Sequence, residues 1–178
     1  AWLAPVNDRE QDALSDGAWL TRSQNSGGKS ATYAITVPAD GDYTLWMRKF
    51  GNIVCQWRLD DGAWQPSPKS MPVYDNEVLD IRADRYITVG WVQLGTAQVT
   101  KGAHRFSLEL LEGAAPNVAI DCFLLAQGDV SPVGKLKPGE RYTRAPDGWF
   151  AFHPERDTFA KDAVDLSFLN EKEAGSKG

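Results

Sequence analysis

Between Ser30 and Leu125 the apolar residues return at every second position, and that period constrains the fold more than any other feature of the chain. A spacing of two puts one set of side chains on one face of an extended strand; a helix would need three or four. In "ATYAITVP" it sets Tyr33, Ile35 and Val37 on one face, and Pro38, Asp40 and Gly41 supply a turn. "DYTLWMRKF" places Tyr43, Leu45 and Met47 on one face and Trp46 and Arg48 on the other. "IVCQWRLDDGAWQ" reads as a strand, an Asp61-Gly62 tight turn and a return strand through Trp64. "HRFSLELLE" points Phe106, Leu108 and Leu110 inward and Arg105, Ser107 and Glu109 outward. "VAIDCFLLAQ" is nearly all apolar, as a central strand covered on both faces should be. Short strands separated by frequent turns predict an all-β fold, an antiparallel β-sandwich.

Two stretches depart from the pattern. Pro66 to Asp84 is irregular; "PSPKSMP" is loop chemistry, and "YDNEVLDIRADR" reads as a solvated loop of interleaved charges. "YITVGWVQLGTAQV" then resumes a strand, with Gly90 and Gly95 as bulges or points of close approach. Beyond about residue 130 the period is lost amid prolines and charges, yet six aromatics remain: Tyr142, Trp149, Phe150, Phe152, Phe159 and Phe168. A flexible linker has no use for so many rings. The expected organisation is therefore a sandwich over residues 1–130 and an extended arm over 131–178 that lies against a surface. The arm should close in a short helix, capped by Asp165, with Leu166 and Leu169 on one face and Gly175 as its stop.

Function classes narrow by exclusion. A net charge of −5 with both signs interspersed offers no electrostatic case for nucleic acid or an anionic membrane. No apolar run approaches the roughly 18–20 residues that span a bilayer. Hydrophobic residues at 42 % are enough for a packed core. Cys55 and Cys122 fit no zinc or redox spacing, and are either buried free thiols or one disulfide. His104 begins a strand and His153 lies in the arm, neither beside a nucleophile motif. Asp121 stands out, because a charge inside "VAIDCFLL" is expensive unless paired, hydrogen-bonded or bound to a metal. Seven tryptophans are many for this length; they suit a sandwich core or an aromatic platform on which sugar C–H faces stack.

"SATYAITVPADGDYTLWMRKF" resembles the early strands of galactose-binding-like β-sandwich modules (jelly rolls), among them carbohydrate-binding modules of families six and thirty-five. The matching positions are Tyr33, Pro38, Gly41, Tyr43, Leu45 and Arg48. "GWVQLGTAQVTKGAHRFSLELL" and "APNVAIDCFLL" are similar to later strands of the same modules, in the same order, so the resemblance covers roughly residues 12–130. It implies a loop-edge sugar site with Tyr33 and Trp91 as stacking rings and Asn117 as hydrogen-bonding group. It also implies a structural Ca²⁺ with Asp121 as one ligand; Asp8, Glu10 and Asp12 are the candidates for the family's N-terminal acidic ligands.

The arm, through "GWFAFHPERDTF" and "DLSFLNEKEAG", resembles the junction that leads from such a sandwich into a TIM-barrel glycoside hydrolase. The resemblance implies a non-catalytic carbohydrate-binding module of a multidomain polysaccharide-degrading enzyme. It would be secreted or periplasmic and monomeric, and would bind a polysaccharide or oligosaccharide beside a C-terminal catalytic domain. The alternative is a structural sandwich that braces the barrel and binds no sugar. A cleaving enzyme would need two carboxyl groups facing each other across a cleft.

Overall fold

The computed structural model describes residues 14–15, 19–22, 30–82, 85–114, 118–135 and 149–152. The strands are β1 (Leu20–Arg22), β2 (Ser30–Val37), β3 (Gly41–Phe50), β4 (Cys55–Leu59), β5 (Gln65–Pro66), β6 (Tyr74–Arg82), β7 (Arg85–Val99), β8 (Gly102–Leu110), β9 (Val118–Gln127) and β10 (Trp149–Phe152). They form two antiparallel sheets, a β-sandwich. The larger runs β1-β9-β3-β7-β6 with β10 also on β9; the smaller runs β2-β8-β4-β5.

The two-residue period does what it predicts. Tyr33, Ile35 and Val37 of β2, Tyr43, Leu45 and Met47 of β3, and Phe106, Leu108 and Leu110 of β8 meet between the sheets. Tyr33, Phe106 and Phe123 form a ring cluster there, with Phe106 edge-on to Phe123 at 5.0 Å. The apolar run of β9 is explained by burial on both faces, since every residue from Val118 to Ala126 is buried. Its outward side chains Cys122, Leu124 and Ala126 join Trp46, Trp91 and Val130 in a second cluster, over which Val133 packs. The chain just after β9 thus covers the outer face of the larger sheet.

Gly95 is a close-approach point: a Cβ there would stand 2.9 Å from Cζ2 of Trp57 in the facing sheet. It also adjoins a bulge, since Leu45 pairs with Gly95 but Trp46 with Gln93, leaving Leu94 over. At Gly90 a Cβ would meet Val73 at 2.5 Å.

Three expectations change. The turn after β4 is centred on Asp60 and Asp61, not Asp61-Gly62, because the Gly62 amide donates to the Leu59 carbonyl at 3.1 Å. Asp60 takes a positive φ of 52°, which aspartate tolerates. Its amide donates to the Arg105 carbonyl at 2.6 Å, and its carboxylate accepts the Arg105 amide at 2.7 Å, so β8 fixes the turn one residue early. The charged stretch read as a loop is strand β6, paired with β7 from Tyr74↔Trp91 to Arg82↔Arg85. An edge strand needs a pairing partner on one side only, and charges on it deter further pairing; its composition therefore looks like a loop's. Finally, part of the arm belongs to the sheet: Trp149–Phe152 pairs with Ala126–Phe123 of β9. The C-terminal helix lies outside the described residues.

Candidate functional site

The residues singled out by resemblance do not converge on a surface. Tyr33 is 1 % exposed and packed between Phe106 and Phe123, and burial pushes its hydroxyl far above the usual tyrosine range. Trp91 is fully buried; its indole N–H donates to the Gly134 carbonyl at 2.8 Å, while the Gly134 amide donates to Asp75. Neither ring presents a face to a sugar. The physical reason is position: Tyr33 lies on the inward face of β2, and Trp91 is roofed by the chain after β9. Asn117 lies outside the described residues.

Asp121 is resolved as an ion-pair partner. Its Oδ2 accepts from Nη1 of Arg48 at 2.7 Å and from Oγ of Ser15 at 2.8 Å, and its Oδ1 accepts from the Ser15 amide at 2.8 Å. Arg48 is itself fully buried and reaches Glu77 with Nη2 at 2.6 Å. Burial pushes the Asp121 carboxyl up; the Arg48 charge and the Arg48 and Ser15 donors pull it back. A guanidinium against the carboxylate fills the place a divalent cation would take. In this arrangement the Asp121 carboxylate is balanced by Arg48, and among the described residues no three acidic, His or Cys side chains gather as a metal set; Asp8, Glu10 and Asp12 lie outside the described residues. Cys122 lies beside this pair, its thiol pushed up by burial and by the Asp121 charge. Both cysteines are free: Cys55 faces the inter-sheet core and Cys122 the outer cluster.

Other carboxylates are committed to partners. Asp60 holds Nδ1 of His104 at 2.8 Å, Asp61 pairs with Arg105, and Glu109 accepts from Gln56. Burial pushes Asp60 up, but the His104 and Arg105 contacts outweigh it and leave its carboxyl below the usual range.

A concave site does exist, at the end of the sandwich where the chain crosses from β3 to β4. It is a depression of about 280 Å³ between the segment Lys49–Cys55 and the segment Pro66–Met71, with Leu111 closing one side. Its frame is fixed by backbone bonds. The Leu111 amide donates to the Val54 carbonyl and the Ser67 amide to the Cys55 carbonyl, each at 2.8 Å. The Cys55 amide returns a bond to Oγ of Ser67 at 3.3 Å. Ile53, Val54 and Met71 give apolar wall; Lys49, Asn52, Ser67 and Lys69 give polar groups. Burial pushes the Cys55 thiol up to about 11, so this sulfur is a poor nucleophile near neutral pH.

Two aromatic residues close in sequence to the second wall keep some exposure. Tyr74, shortly after Met71, is 40 % exposed and is braced from behind by Trp46 edge-on at 5.4 Å and 82°. Trp64, just before β5, is half-buried, with the Arg58 guanidinium 4.5 Å over its ring. The sequence held one signal for the depression. Lys49 continues the inward alternation Tyr43-Leu45-Met47, and a lysine at the end of an inward row marks where the core opens to solvent. Tyr74 and Trp64 were hidden among other rings, because alternation does not tell a roofed aromatic from a bare one.

No family model matches the chain, and no curated protein matches it. Among solved structures, the GH26-CBM35 β-(1,4)-mannanase of Podospora anserina is similar over 73 % of this chain and 26 % of its own, with 17 % identity and a TM-score of 0.46. The cycloisomaltooligosaccharide glucanotransferase of Paenibacillus sp., solved with cycloisomaltoheptaose, is similar over 96 % of this chain and 23 % of its own, with 16 % identity and a TM-score of 0.45. The chain thus spans about a quarter of the length of each. Likeness at this level assigns no residue and no ligand here.

Proposed function

We propose that the chain is a non-catalytic carbohydrate-binding module, and that its glycan site comprises the depression at the β3–β4 end and the exposed ring of Tyr74. What supports the reading is a preformed depression with an apolar wall and polar groups, and, three residues beyond Met71 in the chain, the exposed ring of Tyr74 backed edge-on by Trp46. A stacking ring must be rigid as well as exposed, since a mobile one loses on ordering what it gains on contact. The carboxylates support a binding role over cleavage: Asp121, Glu77, Asp60, Asp61 and Glu109 each already serve a cation or donor of their own. Affinity electrophoresis and calorimetry over a polysaccharide panel test this. At least one glycan should bind, and Tyr74→Ala should weaken it about tenfold. Binding untouched by Tyr74→Ala would move the site elsewhere, and silence across the panel would sink the reading.

A second reading has its own observation. β10, in the arm, adds to the larger sheet by pairing with β9 on the side away from β3. A chain tied so firmly to the sandwich suits a brace for an adjoining domain. Silence across the panel leaves this role as the better account.

A further inference from the structure

We infer that the depression receives an anionic group carried on a glycan, a uronosyl carboxylate or a sulfate ester, with Lys49 and Lys69 as its counter-charges. This rests on the carbohydrate-binding function proposed for the chain and adds the chemical class of the ligand. Lys49 is half-buried and its ammonium donates to the Gly51 carbonyl at 2.7 Å. An ammonium has three N–H donors, so two remain for a ligand. The contact with Gly51 also holds the amine in place, which lowers the entropy a ligand must overcome to engage a flexible lysine. Lys69, exposed, lines the same depression.

Among the described residues no carboxylate lines the depression, and neither lysine has an ion-pair partner. On a chain of net charge −5, two unneutralised cations in one concavity are not the background pattern. Burial also pushes the Lys49 ammonium down, as expected for a cation partly stripped of water and given no anion in return. An incoming anion would supply that charge. Ser67 Oγ accepts from the Cys55 amide, which leaves its own O–H to donate, and Asn52 adds an amide. The apolar wall from Met71 and Ile53 faces the less polar side of a sugar ring.

The test is calorimetry on matched oligosaccharides of equal length: a neutral one, a uronate-bearing one and a sulfated one, for each of several backbones. At low ionic strength an anionic member should bind about tenfold or more tighter than its neutral match. Lys49→Gln/Lys69→Gln should bring the two level, and raising salt to about 0.5 M should narrow the gap. A gain with uronate alone identifies a carboxylate subsite, and a gain with sulfate alone a sulfate-ester subsite. Should Lys49→Gln disturb the fold, Lys69→Gln, at an exposed position, still must cut the preference several-fold. Equal binding of neutral and anionic members, or a preference that survives both substitutions, overturns the inference and leaves the glycan reading standing. Absence of binding to every member overturns both.

Discussion

Asp121→Asn offers the sharpest test of how the sandwich is held together. The substitution keeps the side-chain shape and removes the charge. Arg48 then stays fully buried and loses the carboxylate 2.7 Å from its Nη1. Glu77 remains at 2.6 Å, but its side chain is 46 % exposed, so water screens its contribution. The Ser15 amide and hydroxyl keep an oxygen to donate to, with the charge-assisted part gone. Breaking one side of a buried pair costs about 3–5 kcal/mol. Glu77 and the surviving amide oxygen hold the expectation to the lower end, about 3 kcal/mol. Urea denaturation followed by tryptophan fluorescence measures it. Arg48→Met/Asp121→Leu should be less destabilised than Asp121→Asn, because no stranded charge is left. The same variant tests calcium: with Arg48 rather than a cation balancing Asp121, added Ca²⁺ should shift the melts of the parent and of Asp121→Asn equally. A loss below about 1 kcal/mol would refute the view that Arg48 depends on Asp121. A calcium shift that vanishes in the variant would refute the reading of Asp121 as an ion-pair partner.

Two further predictions concern the frame. Gly95→Ala puts a Cβ 2.9 Å from the buried Trp57 ring, which has no room to retreat, and should cost about 1–3 kcal/mol in urea denaturation; a neutral result would mean the sheets can part there freely. Asp60, held below the usual carboxylate range, stabilises the fold above its unfolded pKa of about 3.9, and that contribution is lost as pH falls through the lower folded value. The melting-temperature gap between the parent and Asp60→Asn should therefore be fully open above the unfolded value and close as pH falls through the lower folded value; a gap of constant width would show that the charge on Asp60 is immaterial.

The sandwich was legible because alternation reports burial directly. Each inward row of β2, β3 and β8 is a string of apolar residues at spacing two, and the two-faced burial of β9 is written in its unbroken apolar run. What alternation leaves out is which outward face is covered. Trp46 and Trp91 point away from the inter-sheet core, as a binding platform would, yet Val130, Val133 and the Gly134 carbonyl close over them. The covering segment is remote in sequence from the rings it covers, so no local pattern could announce it. Tyr33 failed for the opposite reason: its inward parity was plain, and the resemblance outweighed it. Parity was the better guide, since it comes from this chain's own backbone geometry.

Asp121 shows the same limit for charge. A lone carboxylate in an apolar run demands compensation, but the demand is equally met by a metal, by donors or by a cation on another strand. Arg48, on the outward row of β3, was the compensating group, and it too stood as an unexplained charge in an apolar strand. Two opposite charges, each anomalous in its own strand, are mutual explanations when the strands are neighbours. β3 pairs with β9 with Arg48 opposite Cys122, one residue from Asp121. Among the described residues Lys49 has no such counterpart: it is half-buried at the next position along β3 and lines the depression. The same rule that closes the Arg48–Asp121 pair thus leaves the depression open, and open charge in a preformed concavity is what a ligand of opposite charge requires.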